Sequence, residues 1–138
     1  MLDRLLDLLL ISSLRTWFDD AGDDAPRWYR AHRDPVVGPS LRLMQHRPAE
    51  PWTVALLAST VGCSRAAFAR RFHALVGQPP MQYLTDWRLS LAADALREPG
   101  VGLAQVAAQV GYGTPFALSA AFKRVRGMSP SDFRRHAS

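Results

Sequence analysis

An all-α fold is predicted by three features of this chain. No segment alternates apolar and polar residues with period two, apolar residues recur at helical spacing, and one unit of helix, glycine turn and basic helix is written twice. The first copy, LASTVGCSRAAFARRFHALVGQPPMQY, starts at Leu57, and the second, VAAQVGYGTPFALSAAFKRVRGMSPSDF, starts at Val106. Gly62 pairs with Gly111 at an offset of 49, whereas Phe72 with Phe122, Gly77 with Gly127, Pro80 with Pro130 and Tyr83 with Phe133 pair at an offset of 50. The second turn is therefore one residue longer. Each copy is the sequence form of a helix-turn-helix. The expected architecture is two helix-turn-helix subdomains joined by a central linker helix and preceded by N-terminal amphipathic helices.

Residues 2–18 place Leu2, Leu5, Leu6, Leu9, Leu14, Trp17 and Phe18 at helical spacing, and Leu8, Leu10 and Ile11 widen the stripe beyond one face. Such a helix needs a cover: the rest of this chain, an upstream domain, or a partner subunit in a homodimer formed through 2–18. The acidic stretch DDAGDDAP at 19–26 cannot bury itself and reads as a linker. Asp34 followed by Pro35 reads as an N-cap with proline at the first helical position, opening a helix to about His46. Thr53 caps a helix over 54–60, Val61-Gly62-Cys63 turns the chain, and Ser64 caps a helix through Val76 that Gly77 ends. Pro79-Pro80 starts a helix over 81–97, with Leu84, Trp87, Leu91 and Ala95 as its expected buried stripe, and Pro99-Gly100 breaks it. In the second copy a helix over 103–110 meets the turn Gly111-Tyr112-Gly113. Thr114, with Pro115 after it, caps a helix that stops at Gly127, and Ser129-Pro130 opens a short last helix to about Arg135. The expected units are an N-terminal helix at 1–20, a linker and helix at 21–51, and a module at 52–138. That module holds helix-turn-helices at 53–77 and 102–127 around the linker helix at 81–97.

Charge is distributed as unevenly as the repeat. Residues 1–51 hold eight acidic and seven basic side chains, whereas 52–138 hold four acidic and ten basic, so the duplicated part carries +6 of a total of +5. A concentrated positive field favours a polyanion, nucleic acid first and an acidic membrane surface second. The single cysteine, Cys63, excludes an internal disulfide framework and a cysteine-based zinc site, and it is expected to be a small buried hydrophobe in its turn. The apolar run at 5–11 is interrupted by Asp7 and is too short to span a membrane, and no credible cleavage site follows it. Neither export nor membrane insertion is expected, and the reducing cytoplasm is the expected compartment.

Projection at 100° per residue makes Phe68, Phe72 and Leu75 the core face of the helix over 64–76. Arg70 and Ala66 then lie opposite the core with His73 nearby, while Arg65 and Arg71 flank the stripe. Arg70 is placed to fork onto the O6 and N7 of a guanine, and the flanking arginines are placed to meet phosphates. In the second copy the expected core face is Leu118, Phe122 and Val125. Phe116 and Ala120 form an apolar outward tip suited at most to thymine methyls, and Lys123 and Arg124 form a basic rear suited to phosphates. Candidate contacts are therefore Arg65, Ala66, Ala69, Arg70 and His73 in the first copy. In the second they are Thr114, Phe116, Ser119, Ala120, Lys123 and Arg124, with less sequence discrimination expected there. The linker helix, at about 1.5 Å per residue, is a rod of about 25 Å that would let both helices reach grooves about one DNA turn apart. Enzyme chemistry has no support: His32, His46, His73 and His136 show no ligand spacing, and neither G-x-S-x-G nor a phosphate loop occurs. No catalytic residue, metal or cofactor is expected.

Taken together, WTVALLASTVGCSRAAFARRFHALVGQPPMQYLTDWRL and VAAQVGYGTPFALSAAFKRVRGMSPSDFRR resemble the DNA-binding domain of the AraC/XylS family of bacterial transcription regulators. The resemblance covers about residues 52–135, with SRAAFARRF, GQPPMQYL, VGYG, AFKR and SPSDFRR in the expected order and spacing. It implies sequence-specific binding of double-stranded DNA at two successive major-groove segments of a promoter, with recognition helices at 64–76 and 114–126, and RNA polymerase as a further partner. Family members usually carry an effector-sensing or dimerising domain ahead of this module, often a cupin-type β-barrel. The chain is thus expected to be a C-terminal fragment or a naturally short regulator, with any small-molecule effector acting through a region absent from it. Leu118 stands where phenylalanine is frequent, and Ala120 where arginine is frequent. Two rivals remain: a protein-interaction module that has kept the scaffold and lost operator recognition, and a module tied to DNA-repair methyltransferase chemistry. The latter would require nucleophilic and metal-binding cysteines, and the chain has Cys63 alone.

Overall fold

The computed structural model describes residues 25–137, so the expected helix at 2–18 and nearly all of the acidic stretch at 19–26 lie outside the described residues. The described residues form eight α-helices and no strand: α1 Arg27–Arg33, α2 Val37–His46, α3 Val54–Thr60, α4 Arg65–Val76, α5 Pro80–Leu96, α6 Leu103–Gln109, α7 Pro115–Arg126 and α8 Pro130–Ala137. The architecture is two helix-turn-helix units, α3–α4 and α6–α7, on either side of the long α5.

Helix α1 departs from expectation. Its start has no side-chain cap, and it buries only Tyr29 and Ala31, so the signals that mark a helix in sequence are weak there. Packing on α2 and α4 holds it instead. Asp34, expected to open a helix at once, first closes α1, and α2 begins at Val37. Its carboxylate still performs a capping task, accepting from the backbone N–H groups of Val36 at 3.0 Å and Val37 at 2.9 Å.

The duplication survives in three dimensions down to single bonds. Ser64 Oγ accepts from the N–H of Ala67 at 3.2 Å, and Thr114 Oγ1 accepts from Ala117 at 3.1 Å. Cys63 N–H donates to Ala58 at 2.9 Å, and Tyr112 N–H donates to Ala107 at 2.8 Å. Both longer helices close on a left-handed glycine, Gly77 at φ 93° and Gly127 at φ 80°. Phe72 meets Tyr83 edge-on at 5.8 Å between centroids, and Phe122 meets Phe133 in the same way at 5.5 Å. Offsets are 49 up to Tyr112 and 50 from Thr114, which identifies Gly113 as the extra residue. The hydroxyl by which Tyr83 differs from Phe133 accepts from Gln45 Nε2 at 2.7 Å.

Two cores result, one under each unit. The first contains Val37, Leu41, Met44, Leu57, Ala58, Phe68, Phe72 and Leu84. The second contains Leu89, Ala92, Ala93, Leu96, Val106, Ala107, Val110, Leu118, Ala121 and Phe122. Helix α5 serves both, and this corrects its expected stripe: Leu84 is buried, but Leu89, Ala92, Ala93 and Leu96 are buried in place of Trp87, Leu91 and Ala95, which stay half-buried. At 100° per residue the C-terminal set centres about 130° around the helix from Leu84. A single stripe fits only a helix with a single neighbour. Val125 is a second correction: it is 46% exposed, and Ala121 takes its place in the core. Arg126 lies over the Phe122 ring at 5.7 Å and Phe133 meets that ring edge-on at 5.5 Å, so these two side chains cover Phe122 where Val125 was expected to. Leu75 and Cys63 are half-buried against the first core rather than sealed within it.

Arg88 sits where the two halves meet. Its Nε donates to the carbonyl of Pro48 at 2.8 Å, and its Nη2 donates to that of Glu50 at 2.8 Å, both in the loop between α2 and α3. The same guanidinium lies 6.0 Å from the ring centroid of Tyr112, in the turn between α6 and α7. Burial pushes its pKa down. Gly111, at φ 95°, has no room for a side chain: a Cβ there would stand 2.7 Å from the Pro48 carbonyl and 2.9 Å from Arg88 Nε.

Candidate nucleic-acid interface

Helix α4 buries Phe68 and Phe72 completely and exposes Arg65, Ala66, Arg70 and His73, with Ala69 half-buried between the two faces. Small side chains along the outward face let a helix axis approach a surface closely. Beside them, Thr53, Val54 and Ala55 from the start of α3 join Arg65, Ala66 and Ala69 of α4 to line an open groove of about 510 Å³. In α7, Leu118 and Phe122 are fully buried and Thr114, Ala120, Lys123 and Arg124 are exposed, with Ser119 half-buried. Phe116, at 83% exposure, is the most exposed large apolar side chain among the described residues. Thr114 Oγ1 is engaged as an acceptor in capping α7, which leaves its hydroxyl proton for an outside acceptor.

Partners sort the cations of the duplicated part into two kinds. Arg88 and Arg134 donate to backbone carbonyls, the latter to Leu96 at 2.9 Å and Val101 at 2.6 Å. Arg126 reaches Ser90 at 3.3 Å as well as lying over Phe122. Arg71, expected beside the phosphates, is instead bonded to Asp34 through Nε at 2.9 Å and Nη2 at 2.6 Å. Sequence reasoning missed this because the two residues stand 37 positions apart. By contrast, Arg65, Arg70, Lys123 and Arg124 are exposed and form no hydrogen bond or ion pair with any described residue. Four of the five cations that the fold leaves unengaged in this way lie on the outward faces of α4 and α7; the fifth, Arg97, follows the end of α5.

The Asp34–Arg71 fork holds α4 against the joint between α1 and α2. Burial alone would raise the Asp34 pKa, but the Arg71 guanidinium and the N–H groups of Val37 and Val36 outweigh it and leave the pKa lowered. A carboxyl whose pKa is lower folded than unfolded contributes stability above its unfolded value, near 3.8, and loses it as pH falls through the folded value. Asp34→Asn, which keeps a capping oxygen but removes the charge facing Arg71, is accordingly expected to lower stability at neutral pH by up to about 1 kcal/mol. The gap from the parent should narrow as urea unfolding is repeated at pH values falling below about 4. An unchanged gap at acid pH would mean that the carboxylate charge contributes nothing.

No helix among the described residues is long and apolar enough to cross a membrane. No group of His, Cys, Asp and Glu side chains there is arranged to hold a metal ion. Against known proteins, residues 57–136 match the model of a helix-turn-helix domain. The chain is 47% identical over 134 residues to a Streptomyces antibioticus protein named as an AraC-like transcription regulator, covering 97% of this chain and 44% of that protein. It is 35% identical over 133 residues to the transcriptional regulator AlkR of Acinetobacter baylyi, covering 96% and 43%. Among solved structures it is similar to the DNA-binding domain of the global transcriptional factor AdpA in complex with a target DNA. That likeness has 31% identity and a TM-score of 0.70, with 75% of this chain and 92% of that one covered. The chain thus spans under half the length of the curated relatives it matches.

Proposed function

Because the chain belongs to the AraC/XylS family of bacterial transcription regulators and carries its tandem helix-turn-helix domain, we propose that it binds promoter DNA sequence-specifically, laying α4 and α7 into two successive major-groove segments. The observation that carries this reading is the coincidence of outward helix face and unengaged cation in both copies. In this reading Arg70 forks onto a guanine, Ala66 and Ala69 let α4 sit deep, and Arg65 and His73 meet the backbone at its sides. Lys123 and Arg124 neutralise phosphates under α7, Thr114 and Ser119 offer hydroxyls, and Phe116 and Ala120 meet thymine methyls. Helix α5 has 17 residues, a rod of about 25 Å, which suits readers about one DNA turn apart.

The DNA-binding unit in this reading is 52–138. Dimerisation through 2–18, contact with RNA polymerase and control by an effector through a region outside this chain complete the proposal, with the cytoplasm as its compartment. Selection of bound sites from a random duplex pool, followed by footprinting, tests it. Two protected segments about 10 base pairs apart are expected. The exposed Phe116 favours a second reading, a protein-interaction module. No duplex binding at low salt would decide for that reading.

A further inference from the structure

We propose that Arg88 is the positioning residue that fixes the angle between the two readers and thereby sets the half-site spacing the protein accepts. The operator part of this rests on the two-segment reading above; the mechanical part does not. Extensive helix packing among the described residues falls within each half or onto α5, and none joins α1–α4 to α6–α8. With its two ends buried in separate cores, α5 is a stiff rod, but small bends and twists of it would still move one unit relative to the other. A second connection away from the helix axis removes that freedom.

Arg88 supplies such a connection. It projects from the middle of α5, and its planar fork takes two carbonyls of the α2–α3 loop, Pro48 and Glu50, each at 2.8 Å. Its other side lies against the α6–α7 turn, with Tyr112 facing the guanidinium at 6.0 Å. Gly111 is packed so closely against both Arg88 and Pro48 that the loop and the turn are in effect one contact. Donation from a half-buried guanidinium is directional, and lysine cannot reproduce it, because a single ammonium lacks the flat fork that meets both carbonyls at once.

The test uses two readouts on Arg88→Ala and Arg88→Lys, the second variant keeping the charge and aliphatic stem should the first fold poorly. Spin labels at Ala74→Cys in α4 and Val125→Cys in α7, both exposed positions, in a Cys63→Ser background, report the distance between the readers without DNA. A narrow distribution is expected in the parent and a clearly broader one in both variants. Operators taken from the selection and lengthened or shortened by one base pair between half-sites give the second readout. The parent should lose affinity by about tenfold, equivalent to about 1.4 kcal/mol, and the variants by much less. Distributions as narrow as the parent's, or equal spacing penalties, would overturn the clamp while leaving two-segment binding intact. A parent indifferent to spacing, with one protected segment, would instead overturn the two-segment reading and the operator part with it, and the label distances would then decide the mechanical part alone.

Discussion

Phe72→Ala is expected to lower the free energy of unfolding by about 3–5 kcal/mol, the usual cost of emptying a phenylalanine site in a packed core. The ring is fully buried, packs on Phe68 at 5.8 Å and on Tyr83 at 5.8 Å, and joins α4 to α5, so neither helix can collapse into the space without dragging the other. A domain of this size has about 5–15 kcal/mol in total, so a large share of its stability would go. Val125→Ala, in the equivalent helix but 46% exposed, should cost under about 0.5 kcal/mol. Urea denaturation followed by circular dichroism compares the two. Similar losses from both would show that Val125 lies in the core after all, as the helical projection had it.

For Arg70→Ala and Arg124→Ala the expected losses differ in kind. Removing Arg70 should cost about 1–3 kcal/mol of affinity for the selected site and relax preference at one or two base pairs. Removing Arg124 should weaken specific and random duplexes alike and reduce the slope of log K against log salt by about one unit. Neither arginine is held by the rest of the described structure, so neither substitution should disturb the fold, and unchanged unfolding midpoints serve as the control. Salt titrations on both duplexes give all four quantities. Equal, sequence-blind losses from both would remove Arg70 from base reading.

Much of this was legible in the sequence wherever the determining chemistry is local. Ser64, Thr114, Gly77 and Gly127 act on bonds within a few residues of themselves, so α4 and α7 fall where their caps place them. The outward positions of Arg70, Ala66, Ala120 and Lys123 follow from the same periodicity that buries Phe68, Phe72, Leu118 and Phe122. What escaped depends on distant partners. Helix α1 has neither cap nor broad apolar stripe and exists through packing on α2 and α4. Arg71, which the periodicity places at the flank of the helix beside the phosphates, is held instead by Asp34, 37 positions away. The buried face of α5 could not be projected from one starting residue because two cores share the helix.

That sharing gives α5 a phase as well as a length. One residue inserted between Leu84 and Leu89 would advance the far end by about 1.5 Å, a trivial lengthening, but would also turn it by about 100°. Either Leu89, Ala92 and Leu96 would leave their core, or the whole α6–α8 unit would swing with them around the shaft and turn Phe116, Lys123 and Arg124 in a new direction relative to Arg70. An insertion of about seven residues, close to two whole turns, is the shortest that brings the alignment back to within about 20°. The outward residues of α4 and α7 can therefore change one at a time, whereas the shaft between them cannot be lengthened in small steps.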